Sequence, residues 1–259
     1  VVRGLPAFRA HFADFQNHYV LIGGSACDIQ MEQAGLDFRA TKDLDLVLCV
    51  EALDGDFVAA FWQFVKAGGY QQREKSDGKK EFFRFLKPTN EEYPAQLELF
   101  SRALSYLPVA DGVHLTPIPT HAEADSLSAI LLDENYYACL HEGAVVIEDV
   151  SVLKPEYLLV FKAKAYLDLV EKKKKGLTVR SDDIKKHRLD VFRVFQLLSL
   201  ELRVQLAEPV RIDLENFVEA MRSDQPDIKA IGIKTMTAEE VLDNIIAIYA
   251  LKVKGDGAN

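Results

Sequence analysis

The 259-residue sequence predicts an α+β protein, with strands and helices mixed over residues 1–150 and helices over residues 151–259. Three observations point there. Short strand-like runs occupy the first portion, at residues 19–22, 44–50, 81–86 and 95–100. Longer amphipathic stretches with helix-start and helix-stop residues fill the second. The third is the stretch Thr41-Lys-Asp-Leu-Asp-Leu-Val-Leu48, which reads as a strand carrying two carboxylates on alternate residues and therefore on one face. Like charges side by side repel, and a bound cation is the simplest way to make the pair favourable.

Taken in order, Leu5, Phe8, Phe12 and Phe15 recur at helical spacing and predict an amphipathic helix over residues 5–17. Residues 19–22 read as a buried strand and Gly23-Gly24 as the turn after it. Ser25 is expected to be the N-cap of a helix running to about Ala34, with Gly35 just past its end. In the carboxylate strand Leu44, Leu46 and Leu48 face away from Asp43 and Asp45. Phe57, Phe61, Phe64 and Val65 form the inner face of a helix over 57–67, closed by Gly68-Gly69. Asp77-Gly78 signals a hairpin before the strand at 81–86. The strand at 95–100 alternates, with Leu97 and Leu99 on one face and Gln96, Glu98 and Phe100 on the other. Residues 126–132 and 144–147 are further expected elements, with an aromatic helix over 135–141 between them. Near Val152 the texture changes. Pro155 suits the first position of a long helix, 156–175, ended by Gly176. Ser181-Asp182-Asp183 opens a second helix reaching about Arg203, and a third covers 213–222. The capping-box pattern Thr237-Ala-Glu-Glu240 starts a fourth, which ends near Leu251. The domain boundary is expected at about residue 150.

No apolar run approaches the length of a transmembrane helix, and residues 1–6 hold no signal core. Residue 1 is not Met, so the natural start is expected upstream. Cys27, Cys49 and Cys139 form neither a metal-ligand spacing nor a disulfide framework. A cytoplasmic protein with reduced thiols is therefore expected, with Cys27 and Cys49 as small buried hydrophobes. The net charge of −9 argues against a general nucleic-acid coat. Residues 1–150 carry 12 Lys/Arg against 23 Asp/Glu, and residues 151–259 carry 19 against 17. An acidic half joined to a mildly basic one is compatible with a metal site facing a polyanion. The run Lys172–Lys175 is expected to be a solvated helix end, where positive charge is favourable, in preference to an RNA site. Phe82, Phe83 and Phe85 are expected in the core in preference to a base-stacking platform, and His187 is expected to be neither ligand nor base.

A strand, a Gly-Gly-Ser turn and a helix start can bind an anion, because glycine admits a close approach and the helix N-terminus offers N–H groups. Neither a Walker loop nor a dinucleotide fingerprint is present: no Gly-Lys-Ser/Thr follows, and a third glycine is missing. The combination carries more weight. Gly23-Gly24-Ser25 precedes Asp43-Leu-Asp45, and a later strand supplies a third carboxylate, Glu98. Three carboxylates can hold two Mg²⁺ ions, which activate an attacking hydroxyl and carry the charge of a nucleoside triphosphate. Arg39 and Lys42 either contact phosphate or balance the acidic pair.

These residues resemble the polymerase-beta-like nucleotidyltransferase superfold. More narrowly, Ile22-Gly-Gly-Ser-Ala26 followed by Arg39-Ala-Thr-Lys-Asp-Leu-Asp45 resembles AbiEii-type nucleotidyltransferases. Phe161-Lys-Ala-Lys-Ala165 and Lys185-Lys-His-Arg-Leu-Asp190 are similar to that family's later helical motif. The chain departs from it at His187, where the family has a carboxylate, and in a longer intervening segment that holds the lysine run. The resemblance implies a nucleotidyltransferase-like mixed sheet with flanking helices and a helical C-terminal domain. It implies Asp43, Asp45 and Glu98 as catalytic metal ligands for Mg²⁺, two ions being expected, with Glu98 assisting the attacking hydroxyl. Gly23, Gly24, Ser25 and Lys42 would hold the nucleotide's phosphates. Lys162, or Lys164, would neutralise triphosphate charge, and Asp190 would position it or the base. The partners implied are a nucleoside triphosphate, a tRNA or protein acceptor, and an antitoxin, without a membrane. Two other readings are an antibiotic-modifying nucleotidyltransferase and a non-catalytic binding module that kept the fold.

Overall fold

A computed structural model describes residues 2–39, 41, 43–49, 54–70, 82–100, 130–131 and 133–253. The expected hairpin at Asp77-Gly78, Lys42 and most of the expected element at 126–132 lie outside them. The chain divides into two compact units, residues 1–120 with 143–154 and residues 121–142 with 155–259. The aromatic helix therefore groups with the C-terminal helices, and the last crossing falls at Lys154–Pro155.

The first unit is α+β. Its described elements are α1 (Leu5–His11), β1 (Tyr19–Ile22), α2 (Gly23–Gln33), β2 (Asp43–Leu48), α3 (Gly55–Gly68), β3 (Phe82–Leu86), β4 (Gln96–Phe100), β5 (Ala144–Ile147) and β6 (Val150–Leu153). The strands form one mixed sheet, β3-β4-β2-β1-β6-β5. β2 runs antiparallel to β1 and parallel to β4, and β1 runs parallel to β6. Register sorts the side chains. Tyr19, Leu21, Leu44, Leu46, Leu97, Leu99 and Phe85 share one face. Against that face α1 and α3 build an aromatic core, with Phe8 edge-on to Tyr19 at 5.2 Å and Phe61 to Phe85 at 5.7 Å. Phe85 is thus a core residue, as expected; the side chains of Phe82 and Phe83 are not among those described. The opposite face carries Asp43, Asp45, Gln96 and Glu98.

Local signals set most boundaries. The Asp54 side chain caps α3 by accepting from the Phe57 N–H at 2.8 Å. α2 ends in a Schellman motif, with Leu36 N–H donating to the Met31 carbonyl and Gly35 in the left-handed region. α1 stops at His11, short of the expected Asn17. Beyond it Phe12, Phe15 and His18 follow one another through three-residue turns, which keep Phe12 and Phe15 in the aromatic cluster. β6 carries no turn signal of the usual kind. The two residues joining it to β5, Glu148 and Asp149, have φ of +46° and +61°, a geometry that favours Asn-Gly. Glu148 is held by Arg9 at 2.7 Å and by Gln33 at 3.1 Å, whereas Asp149 is exposed. Asp149→Gly is therefore expected to raise stability by about 0.5–1 kcal/mol, read from the urea midpoint. A lowered midpoint would remove backbone strain as the explanation of this turn.

The second unit is helical: α4 (Glu134–Gly143, whose last residue groups with the sheet), α5 (Pro155–Lys174), α6 (Ser181–Phe195), α7 (Glu208–Ser223) and α8 (Ala238–Tyr249). The expected capping box at Thr237 and Glu240 opens α8. Gly176 closes α5 with a second Schellman motif. α6 ends well before Arg203. The Ser199 hydroxyl takes the Glu201 N–H at 3.2 Å, giving the backbone an alternative to the helix. The first half of α5 is buried on nearly every side, from Leu158 to Ala163. All three cysteines are buried, and burial pushes the Cys139 thiol up to about 11. Among the described residues no helix is long and apolar enough to cross a membrane.

Candidate active site

Strand register assembles the first cluster. Ile22, the last residue of β1, is opposite Asp45 on β2, and Asp45 is opposite Glu98 on β4. Asp43, two residues back on the same face, is opposite Gln96. The row Ile22, Asp45, Glu98 continues by backbone register to Arg84 on β3, a position that no local sequence signal marks. Glu98 is buried, and its Oε1 accepts from Gln96 Nε2 at 2.7 Å.

The glycines explain how the turn fits over this row. Gly23 has a φ of +67°, and a Cβ built there would stand 1.9 Å from Asp45 Oδ2. The Asp45 carboxylate thus lies directly against the start of α2. A Cβ on Gly24 would meet Thr41 Oγ1 at 2.7 Å and the Arg39 guanidinium at 3.5 Å. Two residues of the Arg-x-Thr segment therefore flank the turn from its other side. The helix N-terminus against Asp45 offsets carboxylate repulsion in part, so a cation is not the whole electrostatic account of this strand. Gly23→Ala is expected to cost about 2 kcal/mol or more, since it combines left-handed strain with displacement of Asp45. Gly24→Ala should cost less, because Gly24 is not in the left-handed region and its nearest neighbour, Thr41 Oγ1, would stand 2.7 Å from the new Cβ. Equal unfolding midpoints for Gly23→Ala and the parent would overturn this packing.

Ser25 does not cap α2. The helix begins at Gly23 with Ile22 as its N-cap, and Ser25 lies one turn inside, fully buried, its hydroxyl donating to the Ile22 carbonyl at 3.2 Å. With Gly23 and Gly24 already forming the first turn, the hydroxyl folds back onto the strand end.

The all-oxygen set of Asp43, Asp45 and Glu98 has the donor chemistry of a hard divalent cation such as Mg²⁺. Asp45 and Glu98 are cross-strand neighbours and Asp43 shares their face. Among the described residues, however, no three His, Cys, Asp or Glu side chains converge closely enough to hold a metal ion. The carboxylates share a face without meeting at one point.

The second cluster belongs to the helical unit. Lys162 on α5 reaches Asp190 on α6, Nζ to Oδ2, at 3.3 Å; Arg193, one turn along α6, reaches Asp190 Oδ1 at 3.0 Å. The Asp190 side chain is 0% exposed and that of Lys162 5%. His187 is buried one turn before Asp190. Lys164 faces elsewhere. It bridges Asp168 at 3.3 Å and Asp213 at 3.1 Å, and Asp213 also accepts from the Tyr136 hydroxyl at 2.9 Å. Burial works against the Lys164 charge, but the two carboxylates outweigh it and hold its pKa above the ordinary lysine value. Of the two expected lysines it is therefore Lys162 that pairs with Asp190. Arg193 was not expected; its only signal is its place one helical turn from Asp190.

No protein-family model matches the chain, and no curated protein matches it.

Proposed function

We propose that the chain is a nucleotidyltransferase of the AbiEii type, moving a nucleotide from a nucleoside triphosphate to an acceptor hydroxyl with Mg²⁺. The observation that carries this reading is the adjacency of Gly23, Asp45 and Glu98, from a turn and two strands distant in sequence. In this reading Asp43, Asp45 and Glu98 are the metal ligands. Bound there, Mg²⁺ would carry triphosphate charge and make the acceptor hydroxyl more acidic. The start of α2 would offer backbone N–H groups to phosphate oxygens, and the Arg39 guanidinium against Gly24 supplies positive charge at the same place. Glu98 takes the proton of the acceptor hydroxyl. The acceptor oxygen bonds to the α-phosphorus, the bond from that phosphorus to the bridging oxygen breaks, and pyrophosphate leaves with the electron pair. Within the helical unit the Lys162 ammonium is held by Asp190 at 3.3 Å. Positioning and electrostatics supply the rate in such a reaction.

The test is incubation with each triphosphate labelled at its α-phosphorus, with Mg²⁺ and with total RNA, protein extract or an aminoglycoside. Label in the RNA or protein pool is the expected result. Label in the aminoglycoside alone would change the acceptor to a drug. Label in none, with no triphosphate binding by calorimetry, would replace catalysis by a non-catalytic module.

A further inference from the structure

Residues 172–186 carry seven Lys/Arg against two Asp/Glu, whereas the rest of the chain carries 24 against 38. The structure gathers this charge at one end of one hairpin: the last turn of α5, the connection through Gly176 and the first turns of α6. The Lys173 ammonium donates to the Ser181 hydroxyl at 3.0 Å, so the two helix ends are in contact. Lys173, Lys174, Lys175, Arg180 and Lys185 are exposed, and Lys172 is half-buried beside them. The helix dipole accounts for part of this. Cations are favourable at the C-terminus of α5, and Lys175 is further balanced by Glu171. Arg180 is different: it is the N-cap of α6, the end at which the dipole disfavours a cation. Neither fold stability nor solubility of an acidic chain calls for positive charge there.

We propose that this hairpin end is a docking surface for the phosphodiester backbone of RNA. A membrane is the less suitable partner. The segment holds no aromatic residue and only one well-exposed large apolar side chain, Leu177. A flat anionic surface would also meet Asp182, exposed among the cations, whereas a chain of phosphates can follow the lysines past it. Among polyanions, RNA brings hydroxyl groups along its whole length, the acceptor group that nucleotidyl transfer needs. That choice of RNA over DNA rests on the proposed activity.

The test uses the full chain, a short labelled single-stranded RNA, and fluorescence anisotropy over a salt series. The parent is expected to bind at low salt. The fourfold variant Lys173→Gln, Lys174→Gln, Arg180→Gln, Lys185→Gln is expected to lower the magnitude of the log–log salt slope by about 2–3, at roughly 0.7 per lost phosphate contact. Its affinity at low salt should fall at least about tenfold. All four residues are exposed, and an unchanged thermal midpoint confirms that the variant folds. No RNA binding by the parent, or an unchanged slope in the variant, would overturn the proposal. So would binding to phosphatidylserine vesicles that RNA does not compete away, or equal affinity for DNA of the same sequence. RNA binding without any label transfer would sink the activity and leave the surface; label transfer to protein without RNA binding would do the reverse.

Discussion

Asp45→Asn is expected to reduce nucleotidyl transfer by about a thousandfold or more while leaving the fold in place. Removing one ligand charge forfeits several kcal/mol of charge stabilisation in the transition state, and each 1.4 kcal/mol is about a factor of ten. The substitution keeps the shape against Gly23, where the Asp45 carboxylate fills the space a Cβ would need. Asp43→Ala should lose activity similarly. Because Asp45 also faces the start of α2, its neutral replacement removes a favourable helix-dipole contact, worth about 0.3–1 kcal/mol. Steady-state transfer and a urea titration on the same preparation separate the two effects. Transfer by either variant at the parent rate would sink the metal-ligand assignment.

The second large effect is on stability. Asp190→Ala should cost about 3–5 kcal/mol, because it leaves the buried Lys162 ammonium without its carboxylate and strips Arg193 as well. Lys162→Met should cost less, about 1–3 kcal/mol, since Asp190 retains Arg193 at 3.0 Å. The double variant Lys162→Met, Asp190→Leu should recover part of the Asp190→Ala loss: Arg193 is partly exposed and can turn to water. If Asp190→Ala lowered the urea-derived stability by under about 1 kcal/mol, the pair would not be desolvated in solution. If the fold survives in Lys162→Met, a raised triphosphate KM is the expected mark of its assigned role, and an unchanged KM would make the pair structural only.

What was legible in the chain depended on how local its cause is. The capping box at Thr237, the glycines closing α2 and α5, and the alternation of Leu97 and Leu99 are decided within a few residues, and each is visible in the sequence. Registers are not local. Nothing within either strand states that Asp45 and Glu98, 53 positions apart, are opposite one another; the pattern said only that both sit on strands. The hairpin turn at Glu148-Asp149 was invisible because its residues are not those its backbone prefers, and its cost is met by contacts from α1 and α2. Ser25 lies inside α2 instead of capping it for a related reason: two glycines in succession read as a turn, but here they are the first turn of the helix. The Lys162–Asp190 pairing came from a family resemblance alone, since two residues on separate helices leave no mark of contact in one sequence.

The division of the chain has a consequence for how it is made. β1 is synthesised early, yet one of its two sheet neighbours is β6, which lies beyond a helix that groups with the other unit. During vectorial synthesis the sheet can gain β5 and β6 only after residue 153 has left the ribosome. Until then β1 presents an unpaired edge on the side that β6 will occupy, a site open to intermolecular pairing. Nor is there one peptide bond whose cleavage frees a complete first unit from a complete second. A fragment ended at residue 150 would lack most of β6 and carry α4 away from its own unit. Limited proteolysis between the units is therefore expected to yield pieces that stay together until denatured.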